Sequence, residues 1–208
     1  MAADCGGGCG CSSQRPDRKG DAFWKALVWA FWLNLLLFFV EVAGALQSGS
    51  VSLLADAVDF LGDALNFGAS LLVLGMASIW RSRLALAKGL VMGGWGLLVL
   101  GRAAWVAAHG TIPVHETMTS ISLLALATNL FVAFLLYRHR EGDANRRSVW
   151  LCARNDVFAN VAVLLAAQGV AFTGRGWPDL VAALVLARLG LWSGTAVVRQ
   201  AWREIRTR

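Results

Sequence analysis

Residues 50–63 read SVSLLADAVDFLGD, an apolar run whose only charges are Asp56, Asp59 and Asp63. With 3.6 residues per turn these three positions share one face of a helix, and Asp59 and Asp63 stand one turn apart. Insertion scales put the cost of such a group at the centre of a membrane span at about 2.5–3.5 kcal/mol. Two neighbouring carboxylates also repel each other and do not both ionise in a dry site without a cation. A divalent metal removes that conflict, and so does a shared proton. The stretch raises two questions: whether it lies in a membrane, and what its carboxylates hold.

The rest of the chain answers the first. Of 208 residues, 57% are apolar and 15% charged, against about 45–50% and 25% in soluble domains. Long stretches carry almost no charge, which excludes an ordinary soluble domain and a disordered chain. The expected fold is all-α, a polytopic membrane protein with six transmembrane helices. A span takes about 20 apolar residues, so six use about 125 and leave room for a tail, tight loops and a short stub. The spans read as about 23–46, from the turn at 47–50 to 79, 90–108, 118–137, 149–172 and 180–198. A basic connector with Arg81, Arg83 and Lys88 precedes the third, Pro113 breaks the third loop, and 138–147 is strongly charged. Gly174, Gly176 and Pro178 mark the last turn. The domain reading is a flexible Cys/Gly-rich tail (1–21), a transmembrane body (22–199) and a basic stub (200–208).

Lysine and arginine sit in the tail (Arg15, Arg18, Lys19, Lys25), the second and fourth connectors, and the stub (Arg199, Arg203, Arg206, Arg208). The first and third loops have none and the fifth has only Arg175. The positive-inside rule then puts the odd loops outside and both termini in the cytoplasm. This placement also accounts for the net charge of +6 without nucleic acid as a partner. No cleavable signal peptide is evident, because the first apolar run is long and no small-residue cleavage site follows it. Gly89/Gly93 and Gly190/Gly194 have the small-xxx-small spacing of close helix approach, read as intramolecular packing ahead of a dimer face. Trp24, Trp80, Trp150, Trp177 and Trp202 fall near the interfaces, as an aromatic belt does.

Helix five repeats the carboxylate pattern as Cys152-Ala-Arg-Asn-Asp156. Asp59, Asp63, Cys152 and Asp156 together offer four ligands from two helices, the number a tetrahedral zinc-like site takes. Asp56 and, one turn beyond Asp156, Asn160 are accessory positions. The competing reading of Asp56 is a salt bridge, with Arg102 or Arg188 as partner, or a helix–helix hydrogen bond, and that of Cys152 a small buried hydrophobe. Asn34 and Glu41 in helix one suit interhelical hydrogen bonding or interfacial solvation as well as transport. Asn129 and Asn155 are equally ambiguous. In the tail, Cys5, Cys9 and Cys11 offer soft thiolates for capturing a thiophilic metal, or are incidental. His109, His115 and His139 are scattered and read as solvated. With no serine–histidine pair and no His-Glu-xx-His run, the chain is not read as an enzyme and no resident cofactor is expected.

The run from Ser50 to Asp63 resembles the second-helix signature of the cation diffusion facilitator family. That family carries a histidine or aspartate four residues before an aspartate, after a Leu-Ala-Asp-Ala segment, and Leu54-Ala-Asp-Ala57 matches it as it stands. The similarity extends through Asn34, Glu41, the Tyr137-Arg-His-Arg connector and helix five, over about residues 23–200. Two departures stand out. Cys152 occupies the place where the family's fifth helix has histidine, which makes the donor set softer and favours cadmium, mercury or zinc over manganese. Members also commonly end in a cytoplasmic metal-binding domain that helps them dimerise; only about ten residues follow helix six, so the resemblance is to a short type.

What the resemblance implies is efflux of a zinc-like divalent metal, as substrate, in exchange for protons. A homodimer and a bacterial inner membrane also follow from it as expectations. The coupling agrees with the chemistry, since metal binding needs deprotonated ligands and releases protons. Two other classes compete: a membrane-anchored metal sensor or chaperone that moves no ion, and a proton-coupled exporter of organic cations. The sequence does not choose among zinc, cadmium, cobalt, iron and nickel.

Overall fold

The computed structural model describes residues 22–72, 78–139 and 144–206. They form six helices: α1 (Ala22–Ser48), α2 (Val51–Leu72), α3 (Ser78–His109), α4 (His115–Tyr137), α5 (Ala144–Thr173) and α6 (Trp177–Arg206). The expected tail with Cys5, Cys9 and Cys11 lies outside the described residues. Several boundaries differ from the sequence reading: the second helix, read as running to 79, cannot do so because α3 already begins at Ser78. The basic connector of Arg81, Arg83 and Lys88 lies inside α3 rather than in a loop, Arg146 and Arg147 lie inside α5, and the basic stub continues α6 through Arg206. Backbone hydrogen bonding carries a helix past the apolar span into the charged flank, where arginine and lysine are good helix formers.

Five helices contain an apolar stretch of at least 20 residues, long enough to cross a bilayer: α1, α4, and the segments Gly89–His109, Ala153–Thr173 and Trp177–Ala196 of α3, α5 and α6. These present Trp32, Leu36, Phe39, Phe131, Phe134 and Leu165 outward, as lipid-facing surfaces do. Helix α2 is the opposite. It carries the three aspartates, and every residue from Ser50 to Val58 is buried. It touches α1, α3, α5 and α6, while α3 pairs with α6 and α4 with α5. The helix with three aspartates is enclosed by its neighbours, which keeps its carboxylates out of hydrocarbon.

Small residues set the α3–α6 distance. A Cβ on Gly89 would come within 2.6 Å of Val198 Cγ2, and one on Gly194 within 3.5 Å of the Gly89 carbonyl oxygen. The glycine spacing thus serves packing within the chain. A Cβ on Gly93 or Gly190 would meet nothing within 4 Å, although the Gly93 backbone nitrogen lies 3.7 Å from the Cβ position of Gly194.

One end of the bundle carries the α1–α2, α3–α4 and α5–α6 connections, and the three interlock. Gly49 turns the chain with φ of 73°, a left-handed conformation open to glycine. The Val114 N–H of the α3–α4 loop donates to the Ser48 carbonyl at 2.9 Å. A Cβ on Gly176, between α5 and α6, would lie 2.5 Å from the Thr111 carbonyl oxygen, so only glycine fits there.

Candidate metal centre

Helix α2 starts at a serine cap: Ser50 Oγ accepts the Leu53 N–H at 3.1 Å, the geometry of an N-cap bonded to the third helical residue. This start sets the phase of the helix, and the aspartates follow on its enclosed face. Asp56 is fully buried. Its two carboxylate oxygens accept from the Asn160 amide of α5 at 3.1 and 3.2 Å. Asn129 of α4 donates to Asn160 Oδ1 at 3.5 Å, extending the polar chain to a third helix. Arg102 and Arg188, the candidate salt-bridge partners of Asp56, are both exposed. Of the two competing readings of Asp56, the helix–helix hydrogen bond holds and the salt bridge does not.

Beyond Asp56, Asp63 and Asp156 lie within hydrogen-bonding reach of each other across α2 and α5, with Asp59 among their electrostatic neighbours. Asp63 is 9% exposed, and Asp156 Oδ2 has no hydrogen-bond donor. Asp59 also borders a cavity with room for about one water, walled by Ala55 and Val58 of α2, Gly96 of α3, and Leu186 and Gly190 of α6. The Arg154 guanidinium, between the two candidate ligands of α5 in sequence, is turned away over the Trp150 ring at 5.6 Å. Cys152 stands one turn before Asp156 on α5; its side chain lies outside the described groups. Among the described residues, no three His, Cys, Asp or Glu side chains are gathered as a metal-holding group. Two carboxylates from two helices are brought together, and the third is a neighbour.

Glu41 is fully buried on α1 beside Asp56, and neither of its oxygens has a hydrogen-bond donor. Interfacial solvation, one of the readings of this residue, does not hold. Asn34 is buried too, yet its amide bonds to the Ala30 carbonyl of its own helix at 2.8 Å rather than across helices. His109 and His115 are at the loop end as expected; His109 stacks on Trp105 at 3.8 Å and His115 pairs with Glu116 at 3.3 Å.

Sequence reasoning missed Asp179. It lies in the first turn of α6, fully buried, and its carboxylate binds the start of α2. The signal available was an aspartate in the first turn of a helix and the Ser50-x-Ser52 cap of another, but no spacing rule joins positions 127 residues apart.

The model of the cation efflux transmembrane domain matches residues 27–205. The chain is 24% identical over 191 residues to a cadmium, cobalt and zinc/H(+)-K(+) antiporter of Bacillus velezensis, covering 85% of this chain and 61% of that protein. It is 25% identical over 194 residues to the zinc transporter ZitB of Yersinia pestis, covering 87% and 62%. With the metal cation efflux system protein CzcD of Cupriavidus metallidurans it shares 23% identity over 181 residues, covering 81% and 56%. The chain thus spans about three-fifths of the length of these relatives. Six helices, five of them long and apolar, around a buried aspartate helix, and a family match over nearly all of that bundle, make this chain a multi-pass membrane protein of the cation efflux family.

Proposed function

We propose that this protein exports a divalent transition-metal ion of the zinc, cadmium or cobalt kind, in exchange for protons. The observation that carries this reading is the pairing of Asp63 with Asp156 inside the bundle, with an Asp156 oxygen left without a donor. Like charges in so enclosed a place need a cation between them, and a metal and protons are interchangeable in that role. Asp59, Asp63, Asp156 and Cys152 are the proposed ligands. Asp56, held by Asn160, is the adjacent carboxylate, and the thiol of Cys152 biases the site toward softer metals. The names of the relatives support metal as cargo, and one names potassium beside the proton as counter-ion. The odd-loop end faces outward, both termini face the cytoplasm, and the membrane is a bacterial inner membrane.

The test is metal flux into proteoliposomes under an imposed pH gradient, across zinc, cadmium, cobalt, nickel and manganese, with and without potassium. The reading expects flux that follows the gradient and releases protons. Stoichiometric metal binding with no flux of any ion would overturn it in favour of a membrane-anchored sensor or chaperone. Chelator-insensitive transport of lipophilic organic cations would assign the carboxylates to a different cargo.

A further inference from the structure

At the odd-loop end, one carboxylate joins two helices. Asp179 is the third residue of α6, and its oxygens take four hydrogen bonds from the first turn of α2. Oδ1 accepts from Ser50 Oγ at 2.6 Å, Ser52 Oγ at 2.6 Å and the Ser52 N–H at 3.0 Å. Oδ2 accepts from the Val51 N–H at 2.8 Å. All the groups are enclosed: Asp179 and Ser52 are 0% exposed and Ser50 2%. The charge is balanced by two backbone N–H groups and by the positive ends of two helix dipoles, that of α2 and that of its own helix. Ser50 serves twice, donating to Asp179 while accepting the Leu53 N–H.

This clamp has a direct bearing on the metal helix. It sits one turn before Asp56, on the enclosed face of α2, and α2 is buried without a break from Ser50 to Val58. An ion leaving the carboxylates toward this end must pass those first two turns. The clamp is also suited to two states. Closed, its acceptors are filled by protein donors; opened, water satisfies the same carboxylate, hydroxyls and N–H groups, so neither state strands a buried charge.

We propose that Asp179 is a positioning residue for transport: it holds the first turn of α2 against α6, closes the odd-loop end over the carboxylates, and lets go once for each ion released there. This rests on the transport reading above.

Two variants test it in proteoliposomes with zinc as the probe. Asp179→Asn replaces an oxygen facing the α2 donors by an N–H group, which weakens the closed state. Fewer molecules are then ready to load from the opposite side, so KM for zinc rises about tenfold with maximal flux within about threefold. A merely structural contact predicts the reverse, lower maximal flux at unchanged KM, and that result overturns the proposal. The second variant carries Ser52→Cys and Asp179→Cys, joined by a short, reducible bifunctional thiol reagent, with each single-cysteine variant as control for the native cysteines. Flux stops on cross-linking and returns on reduction, while equilibrium zinc binding persists. Flux that survives a complete cross-link overturns the proposal alone. An unaltered protein that moves no metal overturns the transport reading, and the proposal with it.

Discussion

Two fully buried carboxylates flank the first two turns of α2 and are treated in opposite ways. Asp179 has all the donors it can use, two hydroxyls and two backbone N–H groups within 3.0 Å. Glu41 has no N–H or hydroxyl donor and lies within hydrogen-bonding reach only of another carboxylate, Asp56, which is itself held by the Asn160 amide. A carboxylate whose lone pairs are filled by fixed donors is committed to holding structure. One whose lone pairs are open keeps the capacity to take a cation, at a cost in stability while empty. The difference separates the end of the bundle that holds α2 from the middle that handles charge.

The comparison can be broken at either side, and the largest effect belongs to the open cluster. Asp63→Ala drops metal flux to background in the proteoliposome assay, with the protein still eluting as a folded species in detergent, the outcome expected of the proposed ligand role. Asp179→Ala acts on the other side. It leaves two backbone N–H groups and two hydroxyls without their acceptor, and unfolding in mild detergent shows a loss of about 3 kcal/mol. Gly89→Leu separates packing from hydrogen bonding. Its side chain meets Val198 and the Gly194 carbonyl, so α3 and α6 are pushed apart at a cost of about 2 kcal/mol. The zinc KM stays at the parent value, unlike that of Asp179→Asn. The smallest effect has the opposite sign: Glu41→Leu relieves the crowding of two buried carboxylates, Glu41 and Asp56, and stabilises the metal-free protein by about 1 kcal/mol. Destabilisation by Glu41→Leu as large as that by Asp179→Ala would erase the distinction between the two regions.

The fold was legible because membrane spans are a one-dimensional property. Apolar length, the basic residues of alternate connectors and the glycine and proline breaks place six helices with no knowledge of their partners. Helix ends were less legible. Arg81, Arg83 and Lys88 read as a connector by charge, yet nothing in a charged flank stops a helix. At the site, the shared face of Asp56, Asp59 and Asp63 follows from helical period alone. The partner of Asp56 does not, since Arg102, Arg188 and Asn160 are all polar groups in neighbouring spans. Only packing shows the two arginines at the surface and the asparagine against the carboxylate.

By itself, then, the sequence determined that this is a helical membrane protein with carboxylates arrayed on one face of its second helix. Those features rest on local rise, local period and the cost of burying charge. The tertiary structure alone decided that α2 is the enclosed helix, that Glu41 meets Asp56, that Asp63 meets Asp156, and that Asp179 caps a helix 127 residues before it. Those pairings depend on which helix faces which. That choice comes from how small and large residues fit across interfaces such as Gly89 on Gly194, and no spacing along one strand of sequence encodes it.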